Sequence, residues 1–154
     1  MAIRTIIHSP NPILSAPSIE VKDDNVKSKK IHDLILDLKD TVIATNGIGI
    51  AAPQINVSLR VIVINYANKL FGVINPTITY KSNGTTPLEE GCLSVPGTFI
   101  RIVRPKKVVI EGLDENGKPI KINANDMLAK IFQHEIDHIN GILISDHQED
   151  RLLL

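Results

Sequence analysis

The chain has 154 residues, enough for one domain with a substantial core, and 43% of them are apolar. Its 17 basic and 17 acidic side chains balance and it has no tryptophan, so it lacks the electrostatic footprint and the stacking surface of a nucleic-acid binder. A single cysteine, Cys92, excludes an internal disulfide and fits a reducing compartment, which makes a metal or catalytic role worth asking about.

The opening stretch, MAIRTIIHSPNPIL, has neither the long apolar segment of a secretion signal nor a basic amphipathic leader. No apolar run approaches the roughly 18 residues needed to span a bilayer. A cytoplasmic protein without membrane contact is expected. From His8 to Ser18 three prolines predict an extended, irregular segment. Ile31, Leu34, Ile35, Leu38 and Val42 then recur at helical spacing and predict a long helix from about Ser28 to Thr45, closed by Asn46-Gly47. LRVIVIN, from Leu59 to Asn65, reads as a buried strand, and LFGVINPTITY as another, broken at Pro76. Lys81 to Pro87 reads as a loop. The run from Ile100 to Ala124 predicts a strand, a turn at Glu115-Asn116-Gly117 and a return strand. A second helix follows from about Asn125 to Asn140, ended by Gly141. There is no repeat and no linker, so residues 1–154 are expected to form a single catalytic domain. The fold class is α+β: mainly antiparallel sheets packed around a central C-terminal helix, with a long N-terminal helix.

That last helix carries QHEIDHING. His134 and His138 are four apart and share a helix face, where two imidazoles can point at one ion. Glu135 flanks the pair and is placed to act as a base. A solvated helix turn would also produce such a pattern. Met127, Leu128, Ile131, Phe132 and Ile139 argue against it, because they make the helix buried, and buried ionisable groups need partners. Cys92 sits in EEGCLSVPG, a stretch shaped by glycine and proline. Alone it reads as a small buried hydrophobe. With the histidines it completes a Cys-His-His set with an open position for water, and Glu135 would move that water's proton. Hydrolysis of an amide or ester follows. Asp137 points away from the pair and reads as an outer acceptor for an imidazole, as the partner of a base, or as a solvated acid.

GIGIAAPQ, from Gly47 to Gln54, is no dinucleotide fingerprint: the third glycine is missing and it follows a helix. It reads as an extended edge that another backbone can approach, ending in an amide able to donate to an oxyanion. A packed strand and a polar turn would look the same.

Together, GIGIAAPQ, EGCLS (Glu90 to Ser94) and HEIDH (His134 to His138) resemble the peptide deformylase family, matching its three motifs in order and at every fixed position. The resemblance runs over nearly the whole chain. It implies that Cys92, His134 and His138 hold one divalent ion, Fe²⁺ in cells, with Zn²⁺, Ni²⁺ or Co²⁺ able to take its place. Glu135 would be the catalytic acid and base, and Gln54 with the backbone N–H of Leu93 would stabilise the oxyanion. Ile48, Gly49 and Gly91 would bind the substrate backbone. Leu88, Met127, Ile131 and Ile48 would line a pocket for methionine. The reaction implied is removal of the formyl group from N-formylmethionyl nascent peptides, releasing formate, with transient ribosome contact and no direct nucleic-acid binding. Two positions depart from the family pattern. Phe99 stands where some members have an arginine, leaving Arg101 nearby, and residues 139–154 leave little room for the C-terminal helix that many bacterial members dock with. Two other readings are a small zinc peptidase and a peptide-binding domain with a closed structural metal. The first leaves GIGIAAPQ and Cys92 unexplained, and the second leaves Glu135 without a purpose.

Overall fold

The computed structural model describes residues 2–147 and 151–152. Ser28 accepts a hydrogen bond from the N–H of Ile31 (3.3 Å) and so opens helix α1, Lys29–Ala44. The helix ends where Asn46 turns left-handed (φ 55°) and Gly47 N–H bonds back to the Val42 carbonyl at 2.9 Å.

The strands that follow are β1 (Gly49–Ala51), β2 (Val61–Tyr66), β3 (Lys69–Lys81), β4 (Thr85–Cys92), β5 (Val95–Pro105), β6 (Lys107–Leu113) and β7 (Pro119–Asn125). Helix α2, Asp126–Ile139, comes next, and a two-residue strand, β8, occupies Arg151–Leu152. The strands form two antiparallel sheets, ordered β1-β2-β3-β6-β7 and β4-β5-β8. The expected α+β class with antiparallel sheets and a metal-bearing C-terminal helix is the observed one.

Three boundaries differ from the sequence reading. The loop expected from Lys81 to Pro87 is shorter, because Lys81 still belongs to β3 and β4 already begins at Thr85. Pro76 does not break its strand. β3 runs through it, because Asn75 adopts φ 51° and the register slips between Ile74 and Thr77, a bulge where the missing N–H is not needed. The Asn75 amide also holds both the N–H and the carbonyl of Val21 (2.9 and 2.8 Å). The run after Ile100 is two strands rather than one: β5 belongs to the smaller sheet and β6 to the larger, and the chain changes sheet at Lys106. The turn after β6 lies where expected. Asp114 accepts from the N–H groups of Asn116 and Lys118 (2.8 and 2.9 Å), and Gly117 supplies φ 79°. Within the C-terminal tail, residues 148–150 and 153–154 fall outside the described residues.

β2 is buried on both faces. Val61 and Val63 point to α1, where they meet Leu38 and Val42, whereas Ile62 and Ile64 point to α2 and meet Phe132 and Ile136. Helix α2 is therefore packed on the large sheet along one side. Its other side faces β4 and β5, where Ile100 and Ile102 form a smaller cluster with Ile144. Among the described residues no helix is long and apolar enough to cross a membrane.

Candidate metal centre

The helical repeat puts His134 and His138 on the face of α2 turned to β4, with ring centroids 5.0 Å apart. Cys92 is the last residue of β4 and pairs with Val95 across a tight turn, which presents its sulfur to the helix. The Cys92 Sγ lies 3.3 Å from His138 Nε2, and the donor atoms of Cys92, His134 and His138 all lie within 4.8 Å of one another.

Glu90, two residues before Cys92 and fully buried, sets the tautomer of His134. A carboxylate only accepts, so Nδ1 of His134 carries the hydrogen that bonds Glu90 Oε1 at 2.8 Å, leaving the Nε2 lone pair for the ion. Arg104 holds Glu90 through two bonds, Nε to Oε2 at 2.5 Å and Nη2 to Oε1 at 2.9 Å, and donates a third from Nη1 to Asp137 Oδ2 at 3.0 Å. Burial disfavours charge on Glu90, but the bonds from Arg104 and His134 outweigh it and hold the carboxyl down to about 2. Asp137 is thus neither a solvated acid nor a direct contact of a ligand imidazole. It shares the arginine that orients one. Glu90 and Arg104 did not stand out in the sequence as site residues. The signal available was a buried acid beside the cysteine, which needs a cationic partner, but Arg104 is not its cross-strand neighbour: β4 and β5 pair Glu90 with Ile100.

Glu135 is 4% exposed and lies against β1. A Cβ on Gly49 would come within 2.6 Å of its Oε2, so the glycine is what lets the carboxylate sit there. Burial pushes the Glu135 carboxyl up to about 7. On Gln54, Oε1 accepts from the N–H of Ala51 (3.0 Å), which turns Nε2 toward Ser94 Oγ (3.2 Å) and Cys92 Sγ (3.9 Å). The amide therefore offers a donor to the site. Backbone bonds from the N-terminal segment fix both partners: Ile7 N–H donates to the Gln54 carbonyl (2.8 Å) and Ser9 N–H to the Ser94 carbonyl (2.9 Å).

These groups open onto a cavity of about 620 Å³. Ile48, Gly49 and Gln54 border it from one side, Gly91, Cys92 and Leu93 from another, and Ile131, His134 and Glu135 from the helix. His138 lies beneath them, 1% exposed. Leu88 and Met127 are not among the lining residues. Met127 packs with the cluster between α2 and the large sheet. Lys130 borders the cavity on that side, its stem inward and its ammonium donating to the Glu89 carbonyl at 3.0 Å. Phe99 also borders it, 60% exposed and with its ring over Gly91, whereas Arg101 does not.

The residues suit a divalent cation. Burial works against charge on His134, yet Glu135, Cys92 and Glu90 together push it up to about 10, so the pocket favours a cation where the three donors meet, and a bound ion would take the place of the proton on Nε2. Burial and the charge of His134 hold His138 well below the ordinary histidine value. Oε1 of Glu135 is buried without a hydrogen-bond partner among the described residues, in a site where a water or a substrate oxygen would satisfy it.

A thiol and two imidazoles beneath a buried carboxylate, with an amide donor beside a substrate-sized cleft, define a metallohydrolase. The family model for polypeptide deformylase matches residues 3–152. The chain is 43% identical over 146 residues to the peptide deformylase of Syntrophomonas wolfei subsp. wolfei, covering 95% of this chain and 93% of that one. Its fold superposes on a K3U-bound class I type b peptide deformylase from Acinetobacter baumannii with a TM-score of 0.92 at 30% identity, covering 96% and 99% of the two chains. A Met-Ala-Ser-bound structure of the type b enzyme from the same organism gives 0.90 at 29% identity, covering 95% and 98%. The chain belongs to the polypeptide deformylase family. It is a metal-dependent amidohydrolase that removes the N-formyl group from nascent polypeptides.

Proposed function

We propose that Cys92, His134 and His138 hold the catalytic ion, that Glu135 carries the proton, and that Gln54 and the backbone N–H of Leu93 receive the oxyanion. The convergence of the three donor atoms within 4.8 Å, at the cavity that the buried Glu135 also lines, carries this reading. When bound, the ion polarises the formyl carbonyl and lowers the pKa of water. Glu135 takes a proton from the attacking water and delivers it to the departing amine nitrogen. The Gln54 Nε2–H, aimed by Ala51, stabilises charge that develops on the formyl oxygen.

The substrate backbone lies between Ile48-Gly49 and Gly91, since β1 is an edge strand of the large sheet and leaves room for an added strand. The first side chain, methionine, enters the cavity past Ile131, Ile48 and the stem of Lys130. The Met-Ala-Ser ligand of the Acinetobacter baumannii structure supports a formyl-Met peptide as the substrate. The thiolate and two imidazoles suit Fe²⁺, which we assign in cells, and also accept Zn²⁺, Ni²⁺ or Co²⁺. We place the protein in the cytoplasm, as one catalytic domain that meets nascent chains at the ribosome.

Formate release from formyl-Met-Ala-Ser, with acetyl-Met-Ala-Ser as control, tests the reading. Turnover is expected of the formyl peptide alone, falling about 10³-fold in Glu135→Ala while the metal is retained. Full metal content without formate release, or cleavage of internal peptide bonds, would overturn it.

A further inference from the structure

Residues beyond α2 reach back to the metal centre. Gly141 (φ 78°) reverses the chain, and a short 3-10 turn at Ile144–Asp146 is closed by Asp146, whose Oδ2 accepts from the N–H of Leu143 at 2.8 Å. Two side chains of this segment meet the ligand-bearing elements. Ile144, 2% exposed, packs with Ile100 and Ile102 in the cluster that also holds Cys92 and Val95. The Nε2 of His147 lies 2.8 Å from Asp137 Oδ2, the same oxygen that Arg104 bonds at 3.0 Å. A carboxylate oxygen can only accept, so Nε2 carries the hydrogen and donates it.

We propose that His147 is a positioning residue for the metal centre, acting through Asp137, Arg104 and Glu90 on the orientation of His134. Each link is a hydrogen bond of 3.0 Å or less between buried or half-buried groups: His147 to Asp137, Asp137 to Arg104, Arg104 to Glu90, Glu90 to His134. Asp137 lies on the turn of α2 that bears both histidines, and its carboxylate is fixed from two sides by a guanidinium and an imidazole. With His147 in place the guanidinium plane is set, both oxygens of Glu90 are fixed by the arginine fork, and the His134 ring keeps its Nε2 on the Cys92–His138 side. Without it, Asp137 Oδ2 keeps only its bond from Arg104, so the carboxylate that anchors the third guanidinium nitrogen is itself held from one side and less firmly.

This rests on the reading that the three donors hold the ion, so the test reads metal directly. The protein is loaded with Co²⁺, and the visible spectrum, the rate of cobalt loss to excess chelator, and kcat and KM on formyl-Met-Ala-Ser are measured. His147→Phe, which fills the space without a donor, should lose cobalt about 5- to 10-fold faster, change the ligand-field bands and lower kcat with KM within about twofold. His147→Gln, which keeps an N–H donor, should stay within about twofold of wild type. On an Asp137→Asn background, His147→Phe should add little further, because the path is already interrupted. Wild-type cobalt retention in His147→Phe would overturn the proposal. So would equal losses in the Phe and Gln variants matched by equal drops in the Tm of the metal-free protein, since that is the mark of packing alone. A wild-type protein that binds no cobalt would overturn the metal-site reading as well.

Discussion

The two long helices are built alike and serve differently. Both lay an apolar stripe on the large sheet, one on each side of β2. The buried polar groups of α1 are answered within the helix and by the N-terminal segment: Thr41 donates to the Asp37 carbonyl one turn back (2.7 Å), and Asp37 accepts from the N–H of Ala2 (2.7 Å) and from Arg4 Nη1 (2.9 Å). The buried polar groups of α2 are answered by several separate elements. Its histidines and acids meet Glu90 and Cys92 from β4, Arg104 from β5 and His147 from the chain's later segment. A helix whose polar needs are met by its own turns and one neighbouring segment contributes stability. One whose needs are met by several separate elements, with a carboxylate oxygen left over, contributes a reactive site.

That contrast predicts which property each substitution moves. The largest effect is expected from Arg104→Ala. It leaves Glu90 charged and fully buried, so urea unfolding should show a loss of about 3–5 kcal/mol, together with metal loss. In α1, Leu38→Ala should cost about 3 kcal/mol by the same measurement, yet leave kcat per folded molecule unchanged, because only the core on the α1 side is touched. Activity lost beyond the unfolded fraction would blur the distinction between the helices. Gly49→Ala should do the reverse: the added methyl meets Glu135 Oε2, so kcat should fall about 10²-fold while Tm stays near wild type.

The smallest effect concerns Asp37. Burial would raise its carboxyl, but bonds from the N-terminal segment, including Arg4, hold it below its usual 3.8. A depressed folded-state value means the stabilisation is present above pH 3.8 and is lost as pH falls through the folded value. The gap between wild type and Asp37→Asn, under about 1 kcal/mol for a pair with a partly exposed arginine, should therefore be constant near neutrality and close below about pH 4. A gap that widens in acid would show that Asp37 is stabilised in its neutral form.

Much of this was readable in the residues. Helical spacing located α1 and α2 to within a residue or two, and the glutamate and histidines of HEIDH share a neighbourhood because three- and four-residue steps on a helix do. What was not readable was long-range. Periodicity marks a strand but not its sheet, so the change of sheet at Lys106 passed unseen, and Pro76 looked like a stop because a bulge depends on the neighbouring Asn75. The resemblance implied Met127 and Leu88 for the methionine pocket, whereas neither lines the cavity beside the metal centre and Lys130, a charged residue whose methylenes are apolar, does. Glu90 was legible as part of a motif. Its bond to His134 was not, because 44 residues separate them.

The N-terminal backbone donates to the carbonyls of Gln54 and Ser94, so the beginning of the chain acts as a latch on the residue whose side-chain amide points at the metal centre. Neither Ile7 nor Ser9 borders the cavity. Even so, a protease nick or a bulky fusion that pulls Ile7 and Ser9 away would slacken Gln54, and the damage would show as slower turnover in a protein whose metal content and helical signal look intact.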